Sequence, residues 1–202
     1  MSIGLIGRKV GMTQVFAADG TLVPVSVVRI ESNTVTAVRT SARDGYTAVQ
    51  LGTGTARHLT KPRLGQLTDL PRVRDAREFR LDDVAEYEVG QTLDATLFAV
   101  GDVVDAIGIS KGRGFAGTVK RHHFRRGPET HGSDSHRQPG SIGAGTSPGH
   151  VLKGTHMAGH LGHARATVKK LTIVRADAEA NVLLVRGSVP GPRGALVLIR
   201  KA

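Results

Sequence analysis

Apolar residues in the first quarter of the chain occur in short runs that turn residues separate. Residues 22–30, 34–40 and 46–52 are rich in β-branched side chains, and Gly, Asn or Asp lies between the runs. Runs of this length and composition favour strands over helices. The turn residues between them favour hairpins. The pattern predicts antiparallel strands joined by hairpins over residues 1–52.

The rest of the chain has one unclear region and then further strand patterns. Pro, Gly and dense mixed charges interrupt residues 53–96, which predicts a short helix or two with a loop, as a smaller mixed subdomain or loop region. Strand patterns return in residues 97–110, 168–176, 182–187 and 195–201. The predicted class is mainly β, with few short helices.

Strand patterns stand on both sides of a segment that has none. The simplest architecture is a closed antiparallel β-barrel built from residues 1–110 and 165–202, since closure leaves no free strand edges. Residues 111–164 are then a long, irregular, basic extension inserted in the chain.

Charge follows the same division. Residues 111–170 contain 11 Lys and Arg against 2 Asp and Glu, a net charge of +9, whereas the other residues contain 17 against 15. The same segment holds 12 of the 26 glycines and 8 of the 9 histidines. A near-neutral body with a glycine-rich basic segment is typical of a protein that contacts a polyanion, above all nucleic acid.

The basic segment has few residues that could form a core. Seven apolar side chains lie between Lys120 and His160, which is too little apolar surface to offset the entropy of ordering the chain. We expect this segment to become ordered only against its partner. Gly-Pro and Pro-Gly pairs within it favour fixed bends, as in an arm that follows a defined path.

Composition excludes several classes of protein. The chain has no Cys, so disulfides and thiolate chemistry are excluded and a reducing compartment is compatible. No run approaches the ~18 apolar residues that a membrane span needs. The first residues do not resemble a signal peptide. We expect no membrane partner.

Three glycines, Gly112, Gly114 and Gly117, match the GxGxxG pattern of dinucleotide-binding folds. That fingerprint also needs a helix, a second strand and an acidic residue about 20 residues on, but residues 131–140 contain no apolar strand. We favour another role, in which glycines let backbone N–H groups approach phosphates beside basic side chains.

Histidines suggest a metal site on spacing alone, since His156, His160 and His163 are three to four residues apart. Zinc sites generally use Cys, or His with a carboxylate on a rigid frame. A glycine-rich segment without Cys is a poor frame, so we expect no metal. Neutral histidines can instead stack on bases and bond to phosphate or 2′-hydroxyl groups.

No catalytic set is convincing. Asp134, His136 and Ser141 could form a triad by residue type, but no GxSxG elbow and no Walker loop occurs. We expect no enzyme activity, no cofactor and no small-molecule substrate.

A family resemblance appears in residues 98–121, FAVGDVVDAIGISKGRGFAGTVKR. This segment resembles the signature of ribosomal protein three of the large subunit, at Phe98, Asp105, Gly108, Ser110, Gly112, Arg113, Gly114, Gly117 and Arg121. Further similar segments are 3–16, 44–50, 131–149, 151–162 and 181–194. The match is weakest at 53–85, and the motif forms resemble bacterial members.

The resemblance implies a fold, a place and a role. Family members have a translation-protein-like β-barrel body and an extension that runs through ribosomal RNA toward the peptidyl transferase centre. They are structural, bind large-subunit (23S-type) rRNA directly, nucleate subunit assembly and contact neighbouring ribosomal proteins in the cytoplasmic ribosome. On this chain the extension would be about residues 122–163.

The predicted rRNA-binding residues share basic or aromatic side chains. They are Arg8, Lys9, Lys111, Arg113, Lys120, Arg121, His122, His123, Phe124, Arg125, Arg126, His131, His136, Arg137, His150, Lys153, His156, His160, His163, Arg165, Lys169 and Lys170. The predicted tip near the peptidyl transferase centre is Ile142, Gly143, Ala144, Gly145, Thr146, Ser147, Pro148 and Gly149. Some bacterial members carry a methylated Gln in the loop that corresponds to residues 143–148. This chain has none there, so we expect no such modification.

Two other hypotheses remain open from the sequence. A factor or enzyme with a phosphate-binding glycine loop would bind a free nucleotide saturably. A nonspecific DNA-binding protein would bind duplex DNA and folded rRNA with similar affinity.

Overall fold

The computed structural model describes residues 3–202, and its main element is the β-strand. The strands are β1 Gly4–Phe16, β2 Leu22–Arg29, β3 Asn33–Arg39, β4 Ala48–Thr55, β5 Val73–Arg80, β6 Thr92–Leu93, β7 Val103–Ile109, β8 Phe115–Ala116, β9 Gly159–His160, β10 Arg165–Asp177, β11 Val182–Arg186 and β12 Leu196–Lys201. The helices are short: α1 Ser41–Asp44, α2 Lys61–Gln66, α3 Thr118–His122 and a 3-10 turn at Ala95–Leu97.

The chain divides into two compact units. One runs to Ser110 and resumes with Arg165–Ala202, and the other is Lys111–Ala164. We call the first the body and the second the basic unit.

Six strands of the body form a closed ring of antiparallel pairs in the order β1-β12-β7-β10-β11-β2, and β2 pairs back to β1. Alternate residues of each strand point into the ring. In β12, Val197 and Ile199 are fully buried, whereas the residues between and beside them are half-buried. Because every ring strand has two neighbours, its backbone groups are largely satisfied within the sheet.

The other strands of the body form a four-stranded sheet in the order β5-β4-β3-β6. Val49, Leu51 and Phe79 of this sheet belong to the same buried apolar cluster as the inward residues of the ring. The body therefore has one continuous, mainly aliphatic core.

Asn33 joins the ring to the four-stranded sheet. Its side chain is fully buried. The carbonyl oxygen accepts a hydrogen bond from the Ile6 N–H at 2.9 Å, and the amide nitrogen donates to the carbonyl oxygens of Ile6 at 3.1 Å and Glu31 at 2.7 Å. The side chain thus satisfies both backbone groups of one ring residue, as a neighbouring strand would.

The strand pattern of the sequence predicted β2, β3, β4, β7, β10, β11 and β12, and the structure contains all of them. The expectation of helix and loop was wrong for Val73–Arg80, which forms β5. β5 lies at a sheet edge, where only Val73 and Phe79 are buried, and charged side chains occupy most other positions. An exposed edge strand needs no strict apolar alternation, so its pattern was not visible.

The basic unit has little buried surface. Among its residues only Ala116 and Thr118 are buried, and none belongs to the apolar core cluster. Its regular structure is the two-residue pairing of β8 with β9 and the single turn of α3. No helix within residues 3–202 has the length and apolar character to cross a bilayer.

Candidate nucleic-acid interface

Two segments of the basic unit lie against each other, residues 111–124 and 156–163, and we call this pair the clasp. Antiparallel pairing aligns Phe115 with His160 and Ala116 with Gly159. The pairing continues where the Arg113 N–H donates to the Leu161 carbonyl at 2.8 Å and the Leu161 N–H donates to the Gly114 carbonyl at 2.9 Å. Hydrogen bonds across a gap of more than forty residues thus organise this part of the unit without an apolar core.

Arg121 reinforces the clasp. Its guanidinium donates to the Met157 carbonyl at 2.8 Å, and the side chain is half-buried. An added Cβ at Gly159 would overlap that guanidinium. Arg121, which the sequence predicts to bind rRNA, therefore has an intramolecular contact in the structure, and its contact with rRNA stays a prediction.

Gly162 allows the two segments to meet. Its φ of +75° lies in the left-handed region, and an added Cβ would overlap the carbonyl of Lys111. Only glycine combines that backbone conformation with so close an approach. The glycines of this unit thus serve close backbone contact as well as turns.

Aromatic rings cluster on the clasp. The rings of His122 and His156 stack at 4.4 Å between centroids with 7° between planes, and Phe124 lies about equally far from both, at 6.1 Å and 6.3 Å. The His122 Nε2 atom lies 3.0 Å from the Met157 carbonyl. The structure thus brings together three predicted site residues that are 34 positions apart at their extremes.

Phe115 is a residue that the sequence analysis missed. Its ring is 73% exposed, and it meets the His160 ring edge to face at 6.2 Å. The available signal was its place inside the basic glycine motif, between Arg113 and Lys120. A large exposed aromatic side chain in a basic unit is a candidate surface for base stacking.

The loop between the two clasp segments, residues 125–155, is held by local contacts. Arg126 pairs with Glu129 at 2.8 Å. The Gly127 N–H donates to the His136 carbonyl at 3.1 Å, and the His136 Nδ1 atom lies 2.9 Å from the Pro128 carbonyl. These bonds form a bend without a core.

The predicted tip lies within this loop. Every residue of 142–149 is exposed, including Ile142. The Ser141 hydroxyl donates to the Gly143 carbonyl at 3.3 Å, and the Gly149 N–H donates to the Gly145 carbonyl at 3.1 Å. No Lys, Arg, Asp or Glu occurs between Gln138 and Leu152, so the tip has no charged side chain.

Most other predicted site residues of the basic unit are exposed. They are Lys111, Arg113, Lys120, His123, Arg125, His131, Arg137, His150, Lys153, His160 and His163. The whole unit contains eight Lys and Arg against two Asp and Glu, a net charge of +6. It therefore presents positive charge that its own carboxylates do not neutralise.

The other predicted site residues lie in the body. Arg8 forms an ion pair with Asp75 and donates to the Gly194 carbonyl, and the Lys9 ammonium donates to the Val189 and Gly191 carbonyls at 2.9 and 3.1 Å. These two side chains support the body's loops, and their contact with rRNA stays a prediction.

Three of the predicted site residues are exposed cations on β10: Arg165, Lys169 and Lys170. Lys170 occupies a bulge opposite β7 with a φ of +57°. Its N–H donates to Asp105 at 3.1 Å, and that buried carboxylate also accepts from Arg200 at 3.3 Å. Asp105 thus fixes the bulge that presents Lys169 and Lys170.

The alternative sites gain no support from the structure. The three glycines of the GxGxxG pattern lead into β8 and the five-residue α3, and β8 is antiparallel to β9 rather than part of a parallel βαβ unit. Residues 3–202 contain no group of three or more side chains suited to hold a metal ion. His136 and Ser141 bond to backbone carbonyls rather than to each other.

Comparison with known proteins identifies the family that the chain matches. The family model for ribosomal protein L3 matches residues 78–182. The large ribosomal subunit protein uL3 of Acaryochloris marina is 53% identical over 100% of this chain and 97% of its own length. Those of Picosynechococcus and Gloeobacter violaceus are each 52% identical, over 98% and 100% of this chain and 96% of their own lengths.

These matches define the class as a structural protein of the large ribosomal subunit, which takes part in translation and is not an enzyme. The chain belongs to the ribosomal protein L3 (uL3) family.

Proposed function

We propose that the basic unit binds large-subunit rRNA directly and thereby helps to nucleate assembly of the subunit. The observation that carries this proposal is the combination of a net charge of +6 with only two buried residues in 111–164. Because a basic segment without a core gains little from contacts within the protein, its largest favourable interactions are those with a polyanion such as rRNA.

Within the unit, some residues of the clasp would hold the structure while others would bind phosphates. Its backbone ladder and the Arg121 contact hold Lys111, Arg113 and Lys120 on an ordered support. Cations on such a support lose less entropy when they bind phosphates than cations on a free tail. Recognition would follow RNA shape and backbone more than base edges, since the deep groove of RNA helices is hard to read.

We also propose that the six-strand ring is a translation-protein-like closed barrel from which residues 111–164 leave as an extension. The ring order supports this, because each strand has two antiparallel neighbours. Ile109 and Arg165, on either side of the insertion, are paired residues of β7 and β10. An insertion at this point leaves the ring's hydrogen bonding intact.

The tip, residues 142–149, would lie toward the peptidyl transferase centre, as the family resemblance implies. Its exposure and its lack of Lys and Arg support this placement. Small uncharged residues suit a narrow passage where RNA strands converge on all sides.

Neighbouring large-subunit proteins would contact the body. The hairpin of β1 and β2 supports this, since residues 10–28 contain no Lys or Arg and expose Met12, Phe16 and Leu22. An apolar surface without cations fits a protein partner better than a phosphate backbone.

The test is binding of the full chain to transcribed large-subunit rRNA over a series of salt concentrations. If all eight Lys and Arg of the unit contact phosphates, the log–log salt slope is roughly −6 to −7. Small-subunit rRNA, duplex DNA and free nucleotides serve as competitors. Equal affinity for duplex DNA would favour a nonspecific DNA-binding protein, and saturable nucleotide binding would favour a nucleotide-dependent factor.

A further inference from the structure

Phe115 lies outside the ring cluster of His122, Phe124 and His156, and its side chain is largely exposed. Its neighbour Ala116 is buried, and alternate residues of a strand face opposite sides. The ring of Phe115 remains 73% exposed although His160 stands across the ladder from it. The contact with His160 therefore leaves most of the ring uncovered.

Phe115 has two cationic residues close to it in sequence and two histidines on the facing segment. Lys111 and Arg113 precede it by four and two residues and are exposed, and His160 and His163 come from the other clasp segment. An exposed aromatic face next to cations is the arrangement by which proteins hold unpaired nucleotides, with the base on the ring and the phosphate on the cation.

A second phenylalanine shows that exposure alone does not define a surface for base stacking. Phe16 is also 73% exposed, but it lies on the hairpin of β1 and β2, where residues 10–28 contain no Lys or Arg. Equal exposure in opposite charge environments suits different partners: a protein surface at Phe16 and a polyanion at Phe115.

We propose that Phe115 is a stacking platform for one unpaired rRNA base, whose flanking phosphate contacts Lys111 or Arg113. This rests on the proposed rRNA binding and extends it from charge to a defined nucleotide contact. Because the platform is part of the hydrogen-bonded clasp, the ring needs little further ordering on binding.

The test compares full-length variants for affinity to transcribed large-subunit rRNA at several salt concentrations. Phe115→Ala is expected to raise Kd about 5- to 100-fold, the range for loss of one stacked base. The salt slope is expected to stay unchanged, because Phe115 neutralises no phosphate. Phe115→Tyr keeps the aromatic face and is expected to bind like the original chain, whereas Phe115→Leu is expected to bind as weakly as the Ala variant.

Phe16→Ala is the matched control, with the same loss of exposed ring, and is expected to leave rRNA affinity unchanged. Circular dichroism checks that each variant is folded. Ultraviolet crosslinking of the complex adds a direct readout, in which the peptide that contains Phe115 is expected to carry a nucleotide.

Each contrary outcome is distinct. Unchanged affinity of Phe115→Ala beside salt-dependent binding of the original chain would overturn the platform and leave the proposed function standing. Tight binding by Phe115→Leu would show apolar contact instead of stacking. If Phe115→Ala binds rRNA as tightly as the original chain but no longer binds a neighbouring large-subunit protein, Phe115 contacts a protein partner instead. Failure of the original chain to bind rRNA would overturn both proposals.

Discussion

The body and the basic unit differ in how much apolar surface they bury and in how their charges are balanced. The body buries a continuous aliphatic cluster and contains 20 Lys and Arg against 15 Asp and Glu. The basic unit buries Ala116 and Thr118 and contains eight against two. The body can fold on its own apolar surface, whereas the basic unit depends on backbone ladders, glycines and its partner.

The stability of the body and the binding of rRNA should therefore depend on different residues. In the body, charged residues such as Arg8 and Asp105 have intramolecular partners. In the basic unit most cations are exposed, and close contacts are made by backbone groups and rings. Changes in one unit should therefore affect one property and spare the other.

The largest expected effect comes from removing the basic unit. Replacement of residues 110–164 by Asn-Gly should be tolerated, because Ile109 and Arg165 are paired and a two-residue Asn-Gly turn joins paired antiparallel strands. We expect rRNA affinity to fall about a thousandfold or more, since the phosphate contacts are lost. The thermal midpoint of the body should stay within a few degrees, as measured by circular dichroism. An unfolded deletion variant would show that the two units depend on each other.

Substitution of Asn33 should lower the stability of the body and leave rRNA affinity unchanged. Asn33→Ala leaves the Ile6 N–H and carbonyl buried without partners, which should cost on the order of 2 kcal/mol of unfolding free energy. Urea denaturation measures this loss, and rRNA affinity of the folded protein should not change. Asn33→Asp keeps the acceptor for the Ile6 N–H but places a buried carboxylate oxygen against the carbonyl oxygens of Ile6 and Glu31, so a loss of stability at least as large as that of Asn33→Ala is expected. A loss of rRNA affinity without a loss of stability would contradict the separation.

Two glycine substitutions in the basic unit test the close approach that holds the clasp together. Gly162→Ala introduces a clash with the Lys111 carbonyl, whereas Gly154→Ala meets nothing within 4 Å, although both positions have positive φ. Both changes carry the strain of a left-handed alanine, about 1 kcal/mol. Only Gly162→Ala should open the clasp, with roughly tenfold weaker rRNA binding and no change in body stability. Equal effects of the two variants would mean that the close approach at Gly162 is unimportant.

The smallest effect concerns pH and lies in the body. The Ala99 N–H, and then the Lys201 ammonium 2.9 Å away, hold the pKa of the Asp102 carboxyl below its usual range. A depressed pKa in the folded state contributes stability at neutral pH that is lost as the pH falls through that pKa. Asp102→Asn should therefore be slightly less stable at pH 7, and the difference should begin to shrink near pH 4 and vanish once the pH lies below the depressed pKa of Asp102. A difference that persists in acid would show that the charge is not its cause.

Much of the body could be predicted from sequence because its strands carry visible β-branched patterns. The predicted strands β10 and β11 pair as an antiparallel hairpin, and β12 alternates buried and half-buried residues. β5 was missed because an edge strand with charges on its exposed positions lacks that pattern. The side chain of Asn33 was missed because its partner, Ile6, is 27 residues away.

The candidate site could be predicted in charge but not in geometry. The cations and histidines were visible as a composition change. The stack of His122 on His156 and the pairing of Phe115 with His160 were not, because two-residue strands give no periodic signal and the contacts join distant segments. Arg121 illustrates the limit, since its charge was visible and its bond to Met157 was not.

The most direct test of the separation between body and basic unit is limited proteolysis of the full chain with and without transcribed large-subunit rRNA, with cut sites read by mass spectrometry. We predict cuts confined to residues 111–164, first in the loop 125–155, and their disappearance when rRNA is bound. Cuts spread through the body, or a basic unit that resists protease without rRNA, would contradict the account.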